Sequence, residues 1–110
     1  MNKRLNALAE MVDKGSRVAD IGTDHAYLPI ELMNENKVSY AIASDIAAGP
    51  LQNAKDDIVA AGFEDKIETR LGAGLSTITK TDKIDTVVIA GMGGKLMVQI
   101  LDDALNNGFK

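Results

Sequence analysis

An acidic residue and a histidine stand in this chain where many α/β proteins bind a phosphate. The segment VADIGTDHAYLP, residues 18–29, contains an apolar run that ends at Gly22 and is followed by Asp24 and His25. A dinucleotide-binding turn has glycine at the position of Asp24, because the pyrophosphate must approach the backbone there. The charge and bulk of Asp24 would oppose a diphosphate. The turn therefore favours a ligand without phosphate, and S-adenosylmethionine, whose amino group and sulfonium are positive, fits this requirement.

Further acidic and glycine-rich segments follow the later apolar runs. Asp45 lies near the end of the apolar segment YAIASDI, and an acid at this distance from the first turn can accept hydrogen bonds from both ribose hydroxyls. The alternative is a solvated loop acid. The segments GAG at 72–74 and AGMGG at 90–94 form turns against which a flat base can lie, although glycine is also an ordinary turn residue. Four such turns in this order favour a methyl-donor site. For Asp24 the alternative interpretation is a helix N-cap.

The spacing of the apolar residues predicts helices that alternate with strands. Helices are predicted over 3–13, 26–36, 49–63 and 93–108, strands over 17–22, 40–46, 66–71 and 83–91, and a loop with one helical turn over 72–79. No hairpin signal separates adjacent strands, so we expect parallel pairing through crossovers in an α/β, Rossmann-like fold. Its ligand site should lie beyond the carboxyl ends of the strands. Because such folds continue past a fourth strand, we expect residues 1–110 to be the N-terminal portion of a larger domain.

The composition limits the classes of function. The chain has 110 residues, 16 acids, 12 bases and a net charge of -4, which is not the basic surface of a protein that binds nucleic acid by itself. It has no cysteine, which excludes disulfides and thiolate metal sites, and we expect no metal. No apolar run is long enough to cross a membrane. A cytoplasmic location is therefore expected, and the oligomeric state stays open.

Four motifs resemble those of one enzyme family. The segments ADIGTDHAYLP, GP after the second strand, RLGAGL and IAGMGG resemble the bacterial tRNA adenine(22)-N1-methyltransferases, and the likeness runs from about Lys3 to Leu101. The resemblance implies a Rossmann-like methyltransferase domain that uses S-adenosyl-L-methionine, a tRNA substrate, and a C-terminal coiled-coil region absent from these residues. The chain departs from the family at Ala73, where Asp or Asn is usual, so a side-chain contact to the cofactor's adenine is lost or made only by backbone.

The resemblance also implies roles for individual residues. Asp24 is expected to stabilise the methylated, cationic adenine or to accept a proton from N6, with binding of the cofactor's ammonium as the alternative. His25 contacts cofactor or substrate, or is structural; Tyr27 stacks on the target adenine, or packs on the core. The expected cofactor-binding residues are Asp20, Gly22, His25, Asp45, Ile46, Gly72, Ala73, Gly74, Ala90 and Gly91.

The sequence leaves open the roles of two further residues and two rival functions. Arg4, on the polar side of the first helix, either contacts a tRNA phosphate or is a solvated charge. Met92 either walls the base pocket or fills the core. The rival functions are a nicotinamide-dependent dehydrogenase with a variant turn, which Asp24 argues against, and a non-catalytic module, such as a fragment that folds without turning over. We expect residues 1–110 by themselves to bind the methyl donor weakly and to methylate tRNA poorly or not at all, and we expect the activity in the full-length protein.

Overall fold

A single β-sheet organises the chain. The computed structural model describes residues 3–23, 25–90 and 96–100, and within them five strands pair in the order β3-β2-β1-β4-β5. The strands are β1 (Ser16–Ile21), β2 (Val38–Asp45), β3 (Ile67–Leu71), β4 (Thr86–Ala90) and β5 (Leu96–Ile100). The pairs β1–β2, β1–β4 and β2–β3 are parallel. The predicted parallel α/β fold is confirmed, and the strand order reverses between β1 and β4, which is where doubly wound sheets bind ligands.

Three helices cover one face of the sheet: α1 (Lys3–Met11), α2 (Tyr27–Asn34) and α3 (Ala48–Ala61). Side chains at helical spacing bury against alternate residues of the strands, as the periodicity predicted. None of these helices is long and apolar enough to cross a membrane. The core on this side contains Leu8, Ala9, Val12, Val18, Ala26, Leu28, Leu32, Met33, Val38, Ala41, Ala43, Ala54, Ile58, Ile67 and Val88.

Local sequence signals explain where two of these helices begin and end. Pro29 is the third residue of α2, where its missing N–H costs no helical hydrogen bond. Helix α3 ends at Gly62, whose φ of 81° lies in the left-handed region that favours glycine. The N–H of Phe63 then bonds the carbonyl of Ile58 at 3.0 Å, which closes the helix end. Both boundaries agree with the sequence predictions.

The segment between β3 and β4, residues 72–85, covers the other face of the sheet. It contains two short 3-10 turns, Gly74–Thr77 and Lys80–Asp82, of which the first is the helical turn predicted within 72–79. Ile78 and Ile84 are fully buried from this segment. They pack in a second core with Ala19, Ile21, Ile42 and Val87.

A pair of charged residues fastens this segment to β3. Arg70 donates through Nη1 and Nη2 to the two carboxylate oxygens of Asp82, at 2.7 and 2.8 Å. Nη1 of Arg70 also donates to the carbonyl of Thr77 at 2.6 Å, and Nε of Arg17 donates to the carbonyl of Asp82 at 2.9 Å. The two arginines therefore hold both 3-10 turns against the strands.

The predicted helix over 93–108 is wrong at Leu96–Ile100, which forms β5 antiparallel to β4. A short apolar run does not distinguish a buried helix from a strand, and LMVQI contains the β-branched residues Val98 and Ile100. In addition, the side of β4 that faces away from β1 has backbone N–H and carbonyl groups to satisfy, and from Thr86 to Ala90 this side pairs with β5. The remainder of the predicted helix lies outside the described residues.

We expect Asp82→Asn to destabilise the protein at neutral pH. Hydrogen bonding to Arg70 lowers the pKa of Asp82 from 3.8 to about 2, against the opposing effect of burial. Such a lowering corresponds to roughly 2 kcal/mol, and partial exposure of the pair reduces the expected loss to about 1 kcal/mol. Because the folded-state pKa is depressed, this stabilisation is present above pH 4 and is lost as the pH falls towards 2. Urea denaturation at pH 7 and at pH 3 measures it.

The exposed Asp65, in the turn after α3, provides the matched control as Asp65→Asn. Equal free energies of unfolding for wild type and Asp82→Asn at pH 7 would show that the pair contributes nothing to stability.

Candidate functional site

Three of the four predicted ligand-binding turns meet at the carboxyl ends of the parallel strands, which form one edge of the sheet. The parallel register pairs Ile21 with Ser44 and Asp45 with Leu71, so β1, β2 and β3 end side by side. The fourth strand ends beside them, since Ile21 also pairs with Ile89. The predictions for Asp24, Gly91 and Met92, and for the side chain of Arg4, lie outside the described residues.

The turn after β1 is tied to the end of β2. Gly22 has φ 77°, and this left-handed conformation turns the chain so that the N–H groups of Gly22 and Thr23 both donate to the carbonyl of Ser44, each at 2.9 Å. The N–H of Ala26 then donates to the carbonyl of Thr23 at 3.0 Å. Ala26 is the N-cap residue of α2.

Asp20 is a buried acid beneath this turn. It is 6% exposed, and one carboxylate oxygen accepts a hydrogen bond of 2.7 Å from the hydroxyl of Thr23. Burial raises the pKa of Asp20 to about 6; the bond from Thr23 opposes this rise, and the charge of Asp45 adds to it. In the protein without a ligand, burial therefore disfavours the ionised form of Asp20. A positive charge nearby would stabilise that form.

Asp45 ends β2 and connects two of the turns. One of its carboxylate oxygens accepts a hydrogen bond from the N–H of Ala47 at 3.0 Å, and its backbone carbonyl accepts one from the N–H of Gly72 at 2.9 Å. The next side chain, Ile46, is 74% exposed. An acid and an exposed apolar side chain thus stand together at the end of β2, which suits a ligand with a hydroxylated ring beside a flat apolar group.

The glycine-rich turn after β3 depends on close packing. A Cβ atom on Gly72 would lie 2.6 Å from Cγ2 of Thr77, so a larger residue there would require the side chain of Thr77 to move. Gly74 has φ 50°, and Ala73 between the two glycines is exposed. The backbone of this turn is therefore accessible at the edge of the site.

An aromatic pair stands beside the turn after β1. The rings of His25 and Tyr27 are stacked, with centroids 5.1 Å apart and planes 15° from parallel. Nδ1 of His25 lies 2.9 Å from a carboxylate oxygen of Asp57 on α3. Tyr27 is 55% exposed, so the alternative that it packs into the core is wrong.

Sequence reasoning missed two residues of this region. Thr23 was not predicted to bond Asp20, and its place three residues after an acid was the only local signal. Asp57 was not predicted at all, because it follows His25 by 32 positions and nothing in the sequence joins them. No group of three or more potential metal ligands occurs among the described residues.

The chain matches a family model described as a methyltransferase domain over residues 1–109. It is 43% identical over 102 residues to the tRNA (adenine(22)-N(1))-methyltransferase of Bacillus subtilis, an alignment that covers 93% of this chain and 42% of that protein. The chain therefore spans less than half the length of this relative.

Solved structures show the same similarity. The crystal structure of the B. subtilis m1A22 tRNA methyltransferase TrmK superimposes with a TM-score of 0.78 at 43% identity, covering 84% of this chain and 39% of that one. The structure of M. capricolum TrmK with the cofactor product S-adenosyl-homocysteine gives a TM-score of 0.73 at 40% identity, covering 83% and 41%.

We expect Asp20→Asn to stabilise the protein at neutral pH. Asn keeps an oxygen that accepts the Thr23 hydroxyl but removes the buried charge. Because the folded-state pKa is raised, the folded protein takes up a proton more readily, and the free energy of unfolding falls as the pH rises from about 4 to about 6. The variant should lose this slope and gain about 1–3 kcal/mol at pH 7.5. Urea denaturation across pH 4–8 measures both effects, and a slope unchanged by the substitution would contradict the argument.

Proposed function

Because this chain belongs to the methyltransferase-domain family, we propose that it uses S-adenosyl-L-methionine to methylate N1 of adenine 22 in tRNA. The observation that carries the proposal is the pair of acids Asp20 and Asp45 at the adjoining ends of β1 and β2, whose charges interact. The relatives named for this activity support it. A tRNA substrate agrees with the expected cytoplasmic location.

The charge of the four turns supports a cofactor without phosphate. The segments 20–27, 45–50, 72–74 and 90–94 contain no lysine or arginine, so a diphosphate would meet acids without a basic partner. This disfavours the dehydrogenase alternative. S-adenosylmethionine supplies a positively charged sulfonium that carries the transferable methyl, and its charge suits an acidic edge.

Three of these turns then contribute to holding the cofactor. In this proposal, the carboxylate of Asp45 accepts hydrogen bonds from the ribose hydroxyls, and the exposed side chain of Ile46 lies against the adenine. The backbone at Ala73 bonds the adenine edge, since its side chain cannot. Asp20 acts from beneath the turn at Gly22, where a cation nearby lowers its pKa and favours the ionised form.

The target base must reach the same edge. N1 of adenine is occupied in a Watson–Crick pair, so the base must be unpaired or turned out of its stack. The exposed ring of Tyr27 offers it a stacking surface beside His25. Methylation at N1 makes the base cationic, and the carboxylate of Asp24 stabilises this charge or accepts the N6 proton.

Methyl transfer to tRNA tests the whole proposal. We expect the full-length protein and S-adenosylmethionine to form 1-methyladenosine in a tRNA transcript with adenine at position 22, and not in one with guanine there. Asp24→Ala should lower the rate by about 10²–10⁴-fold with an unchanged circular dichroism spectrum, as expected for loss of a general acid–base group. Mass spectrometry of the digested nucleosides measures the product. Equal methylation of both transcripts would refute the assigned position, and an unchanged rate in Asp24→Ala would remove Asp24 from the mechanism.

Cofactor binding tests the site independently of turnover. We expect Asp45→Ala to raise the Kd for S-adenosyl-homocysteine by about 10–100-fold, because hydrogen bonds to a charged acceptor contribute about 1.5–3 kcal/mol. Isothermal titration calorimetry measures this, with Asp56→Ala on the exposed side of α3 as the control. An equal Kd in wild type and Asp45→Ala, or saturable binding of NAD instead, would contradict the assigned role.

A further inference from the structure

Asp57 makes a long-range contact that the proposed cofactor site does not use. It projects from α3, and one of its carboxylate oxygens lies 2.9 Å from Nδ1 of His25, which belongs to the loop after β1. Helix α3 holds Asp57 in place, because its residues Leu51, Ala54 and Ile58 are buried against the rest of the fold. The contact therefore connects a loop at the candidate site to a part of the fold that packing holds in place.

The contact defines the state of the histidine ring. A carboxylate can only accept a hydrogen bond, so Nδ1 of His25 must carry a proton. When the ring is neutral, this places the single N–H at Nδ1 and fixes the tautomer. The contact also restricts rotation of the ring about its Cβ–Cγ bond.

Solvent exposure indicates that this contact orients more than it stabilises. The side chains of His25 and Asp57 are 37% and 41% exposed, and ion pairs so accessible to water contribute little to folding. The contact therefore contributes more to the orientation of the ring at the proposed substrate entrance than to the free energy of unfolding.

The orientation of the His25 ring also restricts that of the Tyr27 ring. Their rings are nearly parallel, at 15° with centroids 5.1 Å apart, so the position of one ring restricts the other. Tyr27 is also the first residue of α2 and more than half exposed. Its backbone is therefore set by the helix, while its ring is supported by His25.

We propose that Asp57 is a positioning residue for the substrate base: it holds His25, and His25 holds the ring of Tyr27 on which the adenine stacks. This inference rests on the proposed function. Its effect is to prepare an aromatic surface before the RNA arrives, so that binding of the base does not have to order two side chains.

The neighbouring Asp56 supplies a matched control. It lies on the same helix, and one of its carboxylate oxygens accepts a hydrogen bond from Gln52 at 3.0 Å, within α3 and away from the loop. Substituting Asp56 therefore removes the same charge from the same helix without affecting the His25 contact.

The first measurement is the tautomer of the histidine. His25 is the only histidine in the chain, so ¹⁵N spectra of its ring nitrogens at pH 8 are unambiguous. We expect the Nδ1–H tautomer in wild type and in Asp56→Ala, and a shift towards Nε2–H in Asp57→Ala. The same tautomer in wild type and Asp57→Ala would overturn the inference.

The second measurement is the kinetic consequence. We expect Asp57→Ala to lower kcat/KM for tRNA about tenfold, because a misplaced stacking surface weakens alignment of the base. The Kd for S-adenosyl-homocysteine should change less than about twofold, since the substitution leaves Asp45 and its turn intact. Asp57→Asn keeps an acceptor oxygen and should recover most of the activity.

The outcomes separate this inference from the proposed function. An active wild type whose kcat/KM is unaffected by Asp57→Ala, or equally reduced by Asp56→Ala, overturns the positioning role alone. A wild type that transfers no methyl group to tRNA refutes the proposed function and the role of Asp57 in it, even if the tautomer shifts as expected.

Discussion

The last two carbonyl groups of β2 hold the candidate site together. The carbonyl of Ser44 accepts the N–H groups of Gly22 and Thr23, and the carbonyl of Asp45 accepts the N–H of Gly72. Because β2 lies between β1 and β3, these three bonds tie the turns of both neighbouring strands to one short piece of backbone. Where the parallel strands end, carbonyl groups lack a partner within the sheet, and the N–H groups of the turns bond to them. The relative positions of the site residues follow from this arrangement of backbone bonds.

The electrostatics of the site follow from the same constraint. Tying the first two turns together brings two acids, Asp20 and Asp45, close enough for one to raise the pKa of the other. Burial of Asp20 adds to the cost of its ionised form, and the bond from Thr23 offsets only part of that cost. Two neighbouring carboxylates favour a positively charged ligand, because a positive charge nearby stabilises the ionised form of both acids. On the proposed function, the preference for a methyl donor over a dinucleotide thus depends on how the strand ends meet as well as on single residues.

Local sequence signals predicted the parts of the fold that depend on local physics. Gly62 ends α3 because its left-handed backbone favours glycine, and Pro29 lies in the first turn of α2 because its ring excludes later positions. The sequence could not predict the contacts that the fold creates between distant segments. Asp57 reaches His25 only after α3 packs beside the first turn, and Arg70 reaches Asp82 only after 72–85 folds back over the sheet.

The helix predicted after β4 failed for a related reason. Its apolar residues satisfy the spacing of a helix, but the segment Leu96–Ile100 is also short, apolar and partly β-branched. Whether it forms a helix or a strand is therefore decided by whether a neighbouring strand is available for pairing. The edge of β4 is such a partner, and it exists only once the sheet has formed. Propensity is a weak guide where a whole row of backbone hydrogen bonds can be gained by pairing.

The acidity of the chain bears on how the proposed substrate is recognised. A net charge of -4 gives RNA phosphates little overall attraction, so on the proposed function we expect contacts with the base itself to contribute much of the RNA binding by this chain. Stacking on an exposed aromatic ring needs no positive charge, and its strength depends on how well the ring is held before contact. The pairing of Tyr27 with His25, supported from α3, is the part of the described structure that meets this requirement. On the proposed function, methyl donor and target base are therefore selected by different physics at one edge of the sheet: the donor by charge, the base by stacking.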